Sequence, residues 1–331
     1  MSDEINQFDV QEGRTMGWHG KTKINEILSL VNCWLASWDY RIEKLLDSKG
    51  KATPFCALGV TDIEDLYVGR SFTPDTFKPI MNAKLIELLD KGTAGKDLLL
   101  ASAGTVKDRG RHYFSFQMGE EYRAAGRIFV PYFNVGNGND QSSPLWQNTS
   151  STCTVCNNTF TGNMLNAGLI MEVKKTKFSE LKLGDFSKAM RAMLAGQKEF
   201  ADMLEELAKI KLAEDQARAF FAGFVGTPKQ PLASRAENIV ERLVTLYKDP
   251  SVGNTGENYS DVFQAITDYY SHESAGGEDK WKQFVSSEFG SAANQKKRAW
   301  TILNVPSQRE GMSALGRDIL QRTIDAAKAA A

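Results

Sequence analysis

The sequence is poor in histidine, in pairable cysteine and in net charge, and it has no long apolar run. Its three histidines, His19, His112 and His272, lie far apart, and none has a Ser, Cys or Asp at a recognisable catalytic spacing. That argues against imidazole-based hydrolysis, and each is read as a hydrogen-bonded structural residue. The four cysteines stand at 33, 56, 153 and 156. Cys153-x-x-Cys156 lacks the second CxxC or HxxxH that would complete a zinc site. It also reads as strand rather than as the start of a helix, so packed cysteines are expected rather than a redox pair. No metal and no cofactor is expected. No apolar run approaches the roughly 20 residues of a membrane-spanning helix. The start, MSDEINQFDVQEG, is polar and acidic rather than secretory, so host-cell cytoplasm and no membrane partner are expected. The formal net charge of −1 gives no global attraction to nucleic acid, so any such binding must come from a local patch.

What is present is an ordinary globular composition, 42% hydrophobic and 24% charged over 331 residues, enough for two domains or one large one. The expected fold class is α+β: an antiparallel β-meander with flanking helices, then a largely α-helical C-terminal half. The expected division is a mixed sheet-rich region, 1–175, and a helical region, 176–331, possible as one packed domain.

Within the first region Ile27, Leu30, Val31, Trp34, Leu35 and Trp38 fall at three-and-four spacing and predict a helix over 25–46, stopped by Lys49-Gly50-Lys51. A strand follows over 66–72. Thr73 as N-cap with Pro74 behind it predicts a helix to about Asp90, with Leu85, Leu88 and Leu89 inward. Three aromatic or β-branched runs between Asp97 and Val135, joined by turns at Asp108-Arg109-Gly110 and Gly119-Glu120-Glu121, make the meander. Pro131 suggests that the third run is an edge strand or carries a bulge. A Gly/Asn/Ser/Gln loop is expected over 136–151, then strands over 152–155 and 169–173. Helices are predicted over 184–211, 213–224, 234–248, 259–272, 278–288, 291–304 and 309–330.

Two constellations could carry chemistry. The hairpin residues Lys107, Arg109 and Arg111 stand beside Tyr113, Phe114 and Phe116, with Arg123 and Arg127 on the neighbouring pair of runs. Cations that clamp phosphates next to rings that stack on bases are what single-strand binders use. The alternative is a solvated turn above core aromatics. Lys296, Lys297 and Arg298 form a second basic cluster beside Trp300, and Lys174-Lys175-Thr176-Lys177 a third; each alone is a wet helix face or turn. The loop with Asn137, Asn139 and Asp140 could present backbone N–H groups to an anion, or could be plain solvated loop. It lacks the Gly-Lys-Ser/Thr ending of a P-loop.

The order of several motifs resembles the phage/plasmid-like proteins that carry the domain of unknown function 932. Trp18-His19-Gly20 is similar to the family's opening element. Tyr67 to Pro74 is similar to its strand-to-helix segment, and Ala103-Gly104 through Gly110-Arg111 to its hairpin. Val155-Cys156-Asn157-Asn158-Thr159, Ala265-Ile266-Thr267-Asp268-Tyr269-Tyr270 and the segment from Phe289 to Ala299 continue the likeness. The family's loop histidine is replaced here, where Asn137-Gly138-Asn139-Asp140 stands. A second histidine is replaced near Lys174-Lys175-Thr176. Asp140, Cys156 and Asn158 carry over without an assigned role. The resemblance implies a phage or plasmid origin. Together with the basic, aromatic meander it leads to an expected function of nucleic-acid binding in phage or plasmid DNA metabolism. Single-stranded DNA, bound or annealed during recombination or replication by a homo-oligomer, is the expected partner. The alternatives are a metal-dependent enzyme acting on nucleic acid or nucleotide, around Asp140 and Cys156, and an oligomeric interaction or assembly protein.

Overall fold

A computed structural model describes residues 35–93, 98–106, 109–119, 121–141, 144–153, 159–161, 171–173, 199–274, 286 and 290–330. Of the helices expected over 184–211 and 278–288, the parts at 184–198, 278–285 and 287–288 lie outside these residues, as do the motifs at Trp18-His19-Gly20 and Lys174–Lys177. The chain divides into two compact units with interleaved segments. The first comprises 1–120, 131–150 and 167–195, and the second 121–130, 151–166 and 196–331.

The first unit opens with a three-stranded antiparallel sheet in the order β1-β2-β3, made of Tyr40–Leu46, Ala52–Val60 and Ile63–Phe72. The helix predicted over 25–46 is therefore corrected: its last seven residues are strand β1. The apolar spacing that predicts the helix ends at Trp38, and the segment from Tyr40 pairs instead with β2, Tyr40 against Val60 and Ile42 against Leu58. The supposed helix stop is a hairpin turn. The Asp47 carboxylate accepts the N–H groups of Lys49 and Lys51, at 2.8 and 2.9 Å, and Gly50 takes the left-handed φ of 75° that closes it. Cys56, Leu58 and Val60 of β2 alternate inward to meet Val68 and Phe72 of β3.

The helix expected from Thr73 begins later. Thr73 to Thr76 form a turn held by the Thr76 N–H to Thr73 carbonyl bond, and helix α1 runs from Asn82 to Thr93. Pro79 explains the delay, since it offers no N–H to an i−4 carbonyl and disfavours a helical Lys78. Leu85 and Leu89 are buried on the core face of α1, with Leu88 half-buried. Asn82 fixes its start: its N–H donates to Asp39, and its side-chain amide to the carbonyls of Leu35 and Trp38.

The expected meander is present. Strands β4 (Leu98–Val106), β5 (Arg111–Met118), β7 (Arg127–Gly138), β8 (Leu145–Cys153) and β10 (Met171–Val173) lie in the order β10-β8-β7-β5-β4. Strand β7 is interior to this sheet, so Pro131 does not mark an edge. Its pairing with β5 ends at Tyr132 opposite Gln117, and Pro131 stands one residue past that last pair, where its missing N–H costs nothing on that side. Most of the long loop expected over 136–151 is strand, because Gly136 and Gly138 continue β7 and β8 begins at Leu145. Glycine 136 belongs in the strand because the Trp146 indole lies where its Cβ would be.

In the second unit β6 (Tyr122–Ala124) pairs with the first residues of β7, and the short strand β9 (Thr159–Thr161) pairs with β8. Residues 199–209 are helical. They are followed by α2 (Glu214–Val225), α3 (Ser234–Tyr247), α4 (Tyr259–His272), α5 (Ser291–Leu303) and α6 (Pro306–Ala330). These match the expected spans closely, since each carries its own apolar stripe and local start signal. Asn258, for example, caps α4 by accepting the Asp261 N–H at 3.1 Å. The core is aromatic: Phe200, Phe220, Phe221, Phe224, Phe263, Trp300 and Tyr247 are buried together. Helices α2 and α6 cross at Gly223 and Gly316, where a Cβ on Gly316 would strike the Ala219 carbonyl and one on Gly223 the Met312 carbonyl.

Candidate functional site

Of the cations proposed from sequence, Arg109, Arg111, Arg127 and Lys296 are engaged by the protein's own groups. Arg109 donates to both oxygens of Asp62, at 2.7 and 2.8 Å, and its guanidinium lies 4.8 Å from the Trp38 ring centroid. Its own carbonyl accepts the Tyr40 hydroxyl. Arg111, at the start of β5, pairs with Asp140, in the turn after β7, at 2.8 Å. Arg127 is buried and bonds Asp261, Asn254 and Ser260. Lys296 is wholly buried, with its ammonium 3.3 Å from the Ser271 hydroxyl. The rings meant to stack on bases are interior as well, since Tyr113, Phe114 and Phe116 are all buried. The arrangement expected here, cations gathered beside open rings, is not what these residues form. Acidic partners distant in sequence take the arginines, and the meander's aromatic faces close onto the core. Arg123, Lys297 and Arg298 stay exposed, the last lying 4.6 Å over the Phe224 ring and donating to the Phe224 carbonyl. Lys107, Cys156 and Asn158 lie outside the described residues.

The turn that carries Asn139 and Asp140 serves as a strap. Asn139 is wholly buried, and its side chain accepts the Ile80 N–H at 3.1 Å and donates to the Ile80 carbonyl at 2.8 Å, as a paired strand residue would. Gln141 donates to the Arg70 carbonyl. Gly69, at φ 71°, lets the Asp140 backbone approach β3, since a Cβ there would sit 2.8 Å from the Asp140 oxygen. Asp140 is thus spent on Arg111 and on this contact. Beside it, Thr105, His112 and Asn137 stand in register across β4, β5 and β7, buried on the core face, with the His112 ring stacked on Trp38 at 5.5 Å. The Asn137 and Gln147 amides find no hydrogen-bond partner among the described residues, a cost of about 1–3 kcal/mol for each unmet group. Among the described residues no group of three or more His, Cys, Asp or Glu side chains is placed to hold a metal ion.

The surface that sequence reading missed is the outer face of the β1–β2–β3 sheet. Eight large hydrophobic side chains are exposed among the described residues, and six of them, Ile42, Leu45, Leu46, Phe55, Ile63 and Tyr67, belong to this sheet, Ile42 on the face it shares with Leu58 and Phe55 and Tyr67 on the opposite, outer face. Single exposed apolar residues are common, but this concentration is not. Phe55 and Tyr67 are each 48% exposed, and both point outward, Tyr67 opposite Gly59 and Phe55 two alternations along β2. Arg41 reaches across Gly59 to the carbonyls of Val60, Ile63 and Glu64 and lies 5.5 Å from the Tyr67 ring centroid. Glu43 accepts the Tyr67 hydroxyl at 2.7 Å and pairs with Arg41. Those two contacts, the hydroxyl first and Arg41 second, hold the Glu43 carboxyl below the ordinary carboxylate range. Lys44, Lys49 and Lys51 surround the hairpin end, all exposed. The available signal was Asp47-Ser48-Lys49-Gly50 between two runs of alternating residues, a hairpin pattern masked by the helical spacing ahead of it.

A protein of the α+β class, with an open aromatic sheet and an inward-facing polar strap, is what the fold and these surfaces define. Residues 71–305 match the domain of unknown function DUF932, and the chain belongs to that family. No curated protein and no solved structure matches the chain. Strands β1 and β2, and all but the last two residues of β3, precede the matched span. Among the described residues no helix is long and apolar enough to cross a membrane.

Proposed function

We propose that the chain binds single-stranded DNA on the outer face of the β1–β2–β3 sheet, in the DNA metabolism of a phage or plasmid. The observation that carries this reading is the pair of exposed rings, Phe55 and Tyr67, on one sheet face beside the lysines of the β1–β2 hairpin. Base–aromatic stacking contributes about 1–3 kcal/mol per base and tolerates any sequence. Lys49 and Lys51 at the hairpin turn supply phosphate contacts, while Glu43 beside Tyr67 keeps phosphates away from that ring and leaves it to a base. The basic hairpin at Arg109 and Arg111 is not used, because its guanidinium groups are held by Asp62 and Asp140.

The test is fluorescence anisotropy with a labelled oligothymidylate at low salt. Phe55→Ala and Tyr67→Ala are each expected to weaken binding by about tenfold, as the loss of one stacking platform requires. Absence of binding at about 50 mM salt, or binding indifferent to both substitutions, would overturn the proposal.

A further inference from the structure

The two edges of the three-stranded sheet differ. The β3 edge is covered, since Gln141 takes the Arg70 carbonyl and the Asp140 backbone lies against Gly69. Strand β1 has only β2 beside it among the described residues, and it displays Ile42, Leu45 and Leu46. An open apolar edge is a template for another strand.

Register shows which groups face that edge. The Asp39 carbonyl accepts the Thr61 N–H, so the pairs two and four residues further on, Arg41 with Gly59 and Glu43 with Ala57, also turn their backbone groups toward β2. Tyr40, Ile42 and Lys44 therefore turn theirs outward. Of these, the Tyr40 N–H donates to the Asp39 carboxylate at 2.8 Å.

We propose that a second copy of this chain pairs antiparallel along β1, about a two-fold axis through Ile42. In that register the two Ile42 residues exchange both backbone bonds, and each Lys44 N–H donates to the Tyr40 carbonyl of the other copy. Arg41 then stands opposite Glu43 of the second copy, twice, on the outer face. Centring the axis on Arg41, Glu43 or Lys44 instead would set like charges opposite each other, which cross-strand pairing disfavours. The result is a closed, isologous dimer with a continuous six-stranded sheet. It rests on the β1 edge alone and stands whether or not the chain binds DNA.

Sedimentation velocity on the full chain, free of nucleic acid, tests it. A dimer at micromolar concentration is expected. Ile42→Pro removes an outward N–H and leaves the β1–β2 ladder intact. It is expected to weaken dimerisation by at least about tenfold while the far-ultraviolet circular dichroism of the folded chain stays unchanged. Ile42→Cys places two sulfurs on α-carbons about 5.5 Å apart, within disulfide range. Mild oxidation should link it into dimers well beyond the level of the parent chain, and this variant decides the matter if the proline variant fails to fold. A monomeric parent, or a dimer in which Ile42→Cys stays unlinked, would overturn the inference.

Discussion

Asn139 and Tyr67 show how much depends on a single side chain here. Asn139 completes the backbone bonding of Ile80 from a fully buried position, so Asn139→Ala leaves a donor and an acceptor unmet. We expect a loss of about 2 kcal/mol in urea unfolding. Tyr67 governs the titration of Glu43. The depressed carboxyl contributes stability that is present above the ordinary carboxylate range and lost as pH falls through its lowered value. Tyr67→Phe removes the larger of the two causes, so the Glu43 titration, followed by carboxyl-carbon NMR, should move upward. An unmoved titration would mean that Arg41 alone sets it.

At the scale of elements, the crossing of α2 and α6 is the sharpest case. Both helices carry glycine where the partner's backbone comes closest, so Gly316→Ala forces a methyl into the Ala219 carbonyl. A destabilisation of about 3 kcal/mol is expected in thermal or urea unfolding. Gly311 on the same helix has nothing within 4 Å of its Cβ position. Gly311→Ala should stabilise by about 0.8 kcal/mol through helix propensity alone. Opposite signs for two identical substitutions on α6 would establish that contact, and not helix formation, makes Gly316 necessary. The glycines were visible in the sequence, but nothing local distinguished one from the other.

For the molecule as a whole, the near-neutral charge is mirrored in how its cations are used. Arg109, Arg111, Arg127, Arg218 and Arg242 each meet a carboxylate. The DNA binding proposed for the β1–β2–β3 sheet therefore has two turn lysines, Lys49 and Lys51, for phosphates, and its salt dependence should be shallow. A plot of log affinity against log salt is expected to have a slope of about −1.5. A markedly steeper slope would assign the binding to another, more basic surface.

The helices of the second unit were legible because each is a local matter: an apolar stripe at helical spacing, a cap, and a stop within a few residues. The meander was legible for the same reason, as runs of β-branched and aromatic residues between short turns. Strand β1 was not, since its identity comes from Val60, Gly59 and Leu58 on another strand rather than from its own spacing. Nor was the fate of the cations. Arg127 finds Asp261 across 134 residues of chain, and Arg111 finds Asp140 across 29. A charge read along the sequence is free until folding brings up its partner. Composition and periodicity therefore set the elements, while long-range pairing selected which rings and lysines were left facing solvent.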